Sequence, residues 1–179
     1  QADASMGSSV SSIFNKTNAS PRGLFFPPMP HNDEAGWKRA IAVAPHFAKA
    51  VVTNFIGSSD SNKSFEGMNY PYPIFVTMEK TSEDLSYHLT EAVMENYDQF
   101  KDSGPGMDGY QLSNQNFSWI FPYHPGAVKY YKKKGVWTSK HDKHNANLIK
   151  RQDVLAKAWQ KTLKVNLSGD AFKKKWLEN

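Results

Sequence analysis

The sequence predicts an α/β fold, and three observations carry that prediction. Short runs rich in β-branched and aromatic residues alternate with stretches of helical periodicity, which is the pattern of mixed layers. The 179 residues are 39% hydrophobic and 13% aromatic, enough to fold around a core. Helical patterning dominates the second half.

Taken in order, residues 1–20 are rich in Ser, Ala and Asn and read as a flexible lead-in. Leu24-Phe25-Phe26 reads as a short buried strand closed by Pro27-Pro28. Asn32 or Asp33 can cap a helix over 35–43, which Pro45 halts. Residues 51–56 are strand-like, and 57–64 form a polar loop. Tyr70-Pro71-Tyr72-Pro73 imposes extended geometry on the chain before Ile74-Phe75-Val76-Thr77-Met78, whose composition is that of a buried strand. Thr81 or Ser82 opens a helix with Glu83 and Asp84 at its positive end, and Leu85, Leu89, Ala92, Val93, Tyr97 and Phe100 form its apolar stripe. Gly104-Pro105-Gly106 breaks the chain. His124-Pro125-Gly126 starts a helix that Gly135 stops. A long helix follows over 141–163, with Leu148, Leu155, Ala158, Trp159 and Leu163 on its apolar side, and 166–179 form a basic amphipathic end.

Several chemistries are excluded or disfavoured. Without cysteine there are no disulfides, thiolate metal sites or cysteine nucleophiles. No apolar run approaches the roughly 20 residues of a membrane span, so no membrane insertion is expected. Gln1 opens a polar stretch with neither charged start nor apolar core, so no signal peptide is expected; a secreted protein whose leader is gone reads this way, as does a cytoplasmic one. His141 and His144, with Asp142 between them, could begin a metal site, but no third ligand is implied and no metal or cofactor is assigned. There is no G-x-S-x-G elbow and no phosphate-binding loop, and Glu83-Asp84 reads as a helix start rather than acid–base machinery. The chain is therefore read as a non-enzyme.

Charge is divided unevenly. Residues 1–128 hold 8 Lys/Arg against 13 Asp/Glu, net −5, whereas 129–179 hold 14 against 4, net +10. Lys132-Lys133-Lys134 beside Tyr130-Tyr131 could contact single-stranded nucleic acid, but the tyrosine spacing suits packing and arginine is scarce, so nucleic acid is disfavoured as a partner. Asn15, Asn18, Asn62, Asn116 and Asn166 each head an N-x-S/T sequon, against about 1.7 expected by chance. They make glycosylation candidates if the protein is a secreted eukaryotic one; a bacterial periplasmic origin is the other branch.

Tyr123-His124-Pro125-Gly126-Ala127-Val128-Lys129-Tyr130-Tyr131-Lys132, then Gly135-Val136-Trp137, resembles an element near the end of TAXI-family solute-binding proteins, the extracytoplasmic receptors of TRAP-type transporters. Residues 70–77 with 84–92, and 21–24 and 148–155, each weak alone beside that element, are similar to the same family, so the resemblance spans roughly 21–160. It implies part of a type II periplasmic-binding-protein-like two-lobed fold that closes on an anionic or zwitterionic solute such as an amino acid or dicarboxylate. On that reading 21–69 belong to one α/β lobe, 70–165 supply a crossover strand and the C-terminal helices of the other, and 166–179 form a basic tail. Only the C-terminal half of such a protein is represented. A second polypeptide, separate or cleaved from a common precursor, is therefore expected to supply the N-terminal half. Tyr70, Tyr72, Tyr123 and His124 are the candidate ligand contacts. The alternatives are a secreted structural, defence or toxin-like protein that keeps the fold, and a basic nucleic-acid binder.

Overall fold

The computed structural model describes residues 4, 7–70, 74–104 and 106–178. The chain divides into two compact units, Gln1–Val76 with Ala92–Asn116, and Thr77–Glu91 with Phe117–Asn179.

In the first unit, α1 (Ile13–Asn18) forms within the stretch expected to be a flexible lead-in. α2 (Glu34–Val43) starts where Asp33 accepts a hydrogen bond from Gly36 N at 2.8 Å, and its Trp37 is buried with the indole N–H donating to Pro30 O. β1 (Ala48–Val52) and β2 (Phe65–Asn69) form an antiparallel pair running from Ala48↔Asn69 to Val52↔Phe65. Met29 N donates to Glu66 O and His31 N to the Glu66 carboxylate, holding 29–31 beside β2. Phe26, Phe55 and Phe65 pack ring to ring at 5.2–5.7 Å, with Phe14 of α1 on Phe26 at 6.2 Å. The short helix α4 (Tyr97–Phe100) and two 3-10 turns, Met107–Tyr110 and Leu112–Asn114, complete this unit.

The second unit is helical. α3 (Glu83–Glu95) starts where Leu85 N donates to Ser82 Oγ; its last turn, 92–95, belongs to the first unit. α5 (Pro125–Lys133) has Pro125 at its first position, where the missing N–H costs nothing, and ends before Gly135 at φ 71°. α6 (Ser139–Leu163) begins with His141 Nδ1 accepting from Thr138 N. α7 (Gly169–Glu178) folds back on α6 through Trp159, whose ring meets Phe172 and Trp176 at 5.5 Å. Trp119, Tyr130, Tyr131, Trp137, Ala158 and Thr162 are buried here.

The result is a mixed α and β chain, but with a smaller sheet than expected. Leu24–Phe26 is not a strand: Pro27 and Pro28 follow it, and Phe26 joins the aromatic cluster while Phe25 stays exposed. The expected strand over 51–56 is displaced to Ala48–Val52, ending before the turn at Gly57, φ 86°. Residues 74–78 are neither strand nor buried; Phe75 is 61% and Val76 76% exposed. The strand pairing their composition asks for is not made among the described residues.

The α3 stripe is also corrected. Leu85 and Leu89 are exposed, and the buried side carries Ser86, with Thr90 half-buried. The reason lies at Gly126. A methyl group there would meet Glu83 O, Tyr87 N at 2.6 Å and Ser86 Cβ at 2.9 Å. So α5 crosses α3 in backbone contact, and only small residues fit at such a crossing. Thr90 donates its hydroxyl to Ser86 O, so the polar side chain is satisfied within the helix.

Candidate functional site

The second unit builds its site around the start of α5. His124 is extended and places its ring over the helix end. Nδ1 accepts from Gly126 N at 3.2 Å, and Nε2 bonds Thr81 O at 3.0 Å. The neutral tautomer with its proton on Nε2 makes both bonds at once. His124 thus caps α5 and ties it to the chain before α3.

Tyr123, beside it, is held by main chain and ring alike. Asn145 of α6 accepts from Tyr123 N at 2.7 Å and donates to Tyr123 O at 3.3 Å. Its ring packs against Phe117, Tyr131 and Trp137 at 5.4–5.8 Å. Burial pushes the Tyr123 hydroxyl up to about 12, and burial raises that of Tyr131 further. His144 Nε2 bonds Trp119 O at 2.7 Å, and the His141 ring lies against Phe117 and Trp137. Both α6 histidines therefore serve packing and capping, and the described residues contain no group of three or more His, Asp or Glu placed to hold a metal ion.

Beside this clamp lies an open groove of about 370 Å³, lined by Glu83, Pro125, Val128, Lys129, Lys132 and Asn145. Lys129 and Lys132, three apart on α5, project to the same side. Lys129 pairs with Glu83 at 3.5 Å, and Lys132 with Asp142 at 2.9 Å. The Lys132 ammonium, then the Trp137 indole N–H at 2.9 Å, holds the Asp142 carboxyl below its ordinary value. One α-helical turn on from Lys129, Lys133 donates to Tyr87 Oη at 2.8 Å and to Glu91, which also accepts from Tyr87. These bonds, Lys133 first, lower the Glu91 carboxyl. The groove presents ammonium and carboxylate together with the Asn145 amide, the donor set that a zwitterion or carboxylate can enter by exchanging ion pairs.

Of the candidate contacts, Tyr123 and His124 adjoin this groove in sequence and share its supports. Tyr70 lies in the first unit, packed against Phe47 at 5.8 Å and His46 at 6.3 Å. Tyr72 falls outside the described residues. The first unit carries its own cavity, about 240 Å³, walled by Leu24, Phe26, Phe55 and Phe65 with Asn62 at its edge. Among the sequons, Asn15, Asn18, Asn62 and Asn166 are exposed and Asn116 is half-buried. Lys129, Lys132 and Asn145 were not singled out as contacts from sequence. The same-side spacing of the two lysines was legible, but the partner across the groove was not.

The sequence model of the NMT1-like family matches residues 39–135, 97 of the 179. That span includes the start of α5 and both groove lysines. The family is of the periplasmic-binding-protein kind, with an extracytoplasmic solute-binding role in general. No curated protein and no solved structure matches the chain. No helix among the described residues is long and apolar enough to cross a membrane.

Proposed function

We propose a function from a plain premise: the chain belongs to the NMT1-like family. It binds a small anionic or zwitterionic solute, an amino acid or dicarboxylate, outside the cytoplasm, and makes or breaks no bond in doing so. Within that family it is a receptor of the TAXI kind, and it works by closing a cleft around the solute. The observation that carries this reading is the groove at α5, which lies beside the segment that resembles such receptors and offers Lys129, Lys132 and Glu83 to a charged ligand. A thermal-shift screen of amino acids, keto acids and dicarboxylates on the purified assembly tests it. Stabilisation by one of these, weakened by Lys129→Ala with Lys132→Ala, is expected. If no member of the panel raises the melting temperature, the reading fails.

The receptor works with a companion polypeptide that supplies the N-terminal half. Exposed Ile74, Phe75, Val76 and Met78 support this, as does a sheet of only two strands among the described residues. Native mass spectrometry of material purified from its source should find a second chain. A folded single chain that is monomeric there would sink this part. The same spectrum reads the sequons: added hexose and N-acetylhexosamine mass marks the secreted eukaryotic branch, and its absence removes that branch.

A further inference from the structure

The turn end of the α6–α7 hairpin supplies no residue to the groove lining, yet it carries a second concentration of cations. Residues 157–177 contain six lysines and one acid, Asp170. Lys161, Lys164, Lys173 and Lys174 are exposed, and none of the four has an ion pair among the described residues. The turn between the helices is fixed: Val165 N donates to Thr162 O, and both Asn166 (φ 46°) and Gly169 (φ 56°) sit in the left-handed region. Asn and Gly are the residues that adopt it readily. Beneath the turn, Thr162 is fully buried and bonds Ala158 O, so the hairpin end is packed from within. On its outside, Trp159, Leu163, Val165 and Leu167 stay 42–48% exposed.

A rigid end that displays indole, leucine and valine among unpaired lysines calls for a partner that is anionic at its surface and apolar beneath. We propose that the α6–α7 turn docks on an anionic phospholipid bilayer. Leu163, Val165 and Leu167 enter the acyl boundary, Trp159 sits at headgroup level, and Lys161, Lys164, Lys173 and Lys174 meet the phosphates. Nucleic acid offers the phosphates but no apolar interior for three aliphatic side chains, so it satisfies only half of this surface. The contact is peripheral and reversible, and it stands apart from the solute groove.

Vesicle co-sedimentation tests it on the full chain. Binding to phosphatidylglycerol–phosphatidylcholine vesicles at low salt, little binding to phosphatidylcholine alone, and weakening at high salt are expected. Each Lys→Gln change among the four should weaken binding by about fivefold. Because the chain has no cysteine, Leu167→Cys provides a unique labelling point at an exposed position. An environment-sensitive dye there should shift to the blue on anionic vesicles and stay unshifted with single-stranded DNA. No retention on anionic vesicles overturns the proposal. So does retention without a dye shift, which would mean electrostatic contact alone, or a shift with DNA equal to that with vesicles. Circular dichroism of each variant separates lost binding from lost fold.

Discussion

Two stretches of this chain are rich in large apolar residues, and they meet opposite fates. Between Phe117 and Trp137, aromatic rings close on one another around the start of α5, and Asn145 and His144 of α6 bond the main chain at Tyr123 and Trp119. Between Ile74 and Met78, a run of equally apolar side chains stands in solvent. Their hydrogen-bond economy explains the difference. A helix satisfies its backbone within itself and needs one packing face, which α3 and α6 provide to α5. A strand must borrow its hydrogen bonds from neighbours, and the described residues contain no strand beside 74–78. Composition therefore states what a segment requires, and whether the chain contains the partner is a separate matter.

The packed stretch is most vulnerable at Gly126. Gly126→Ala sets a methyl group against the main chain of α3, which cannot yield as a side-chain end would. A loss of about 3 kcal/mol in urea unfolding is expected. An unchanged midpoint would show that the two helices do not cross in backbone contact.

A pH titration comes next. The Tyr123 hydroxyl is pushed up to about 12 in the folded chain, above its ordinary value of 10.0. A raised folded value means that this stabilisation is complete below about 10 and is lost as pH rises toward 12. Unfolding midpoints should decline across that window, and Tyr123→Phe should flatten the decline in part, because buried Tyr131 contributes in the same direction. A decline that Tyr123→Phe leaves intact would assign it to other groups.

The smallest effect belongs to the exposed stretch. Phe75→Ser should change the stability of the isolated chain by no more than about 0.5 kcal/mol, because the ring has little packing to lose. If the companion polypeptide exists, the same change should weaken its retention on a tagged chain. A large loss of stability in the isolated chain would instead show that Phe75 is packed within it.

Much of the local architecture was legible in the sequence. Of the two cap candidates at each start, Asp33 rather than Asn32 and Ser82 rather than Thr81 cap their helices, Pro125 opens α5, and Gly135 ends it in a left-handed turn, because caps and stops depend on residues within one or two turns of each other. The start of α5 was legible as a signature, though its reason was not. His124 could be read as a ligand contact or a cap, and nothing nearby in sequence revealed Thr81 O waiting for its Nε2.

What the sequence determined by itself is where α2, α3 and α5 begin and where α5 stops, the absence of thiol chemistry, the concentration of lysine after residue 128, and a likeness to binding proteins carried by 121–137; it did not show α1 or the end of α3 at Glu95. What only the tertiary structure decided is which face each element buries. α3 turns Ser86 inward and leaves Leu85 out, since Gly126 brings a second backbone too close for leucine. Lys129 and Lys132 become the wall of a groove only because Glu83 and Asn145, from two other helices, stand opposite. Periodicity records a helix's own preferences, but burial depends on the shape of its neighbour, and that neighbour lies about forty residues away along the chain.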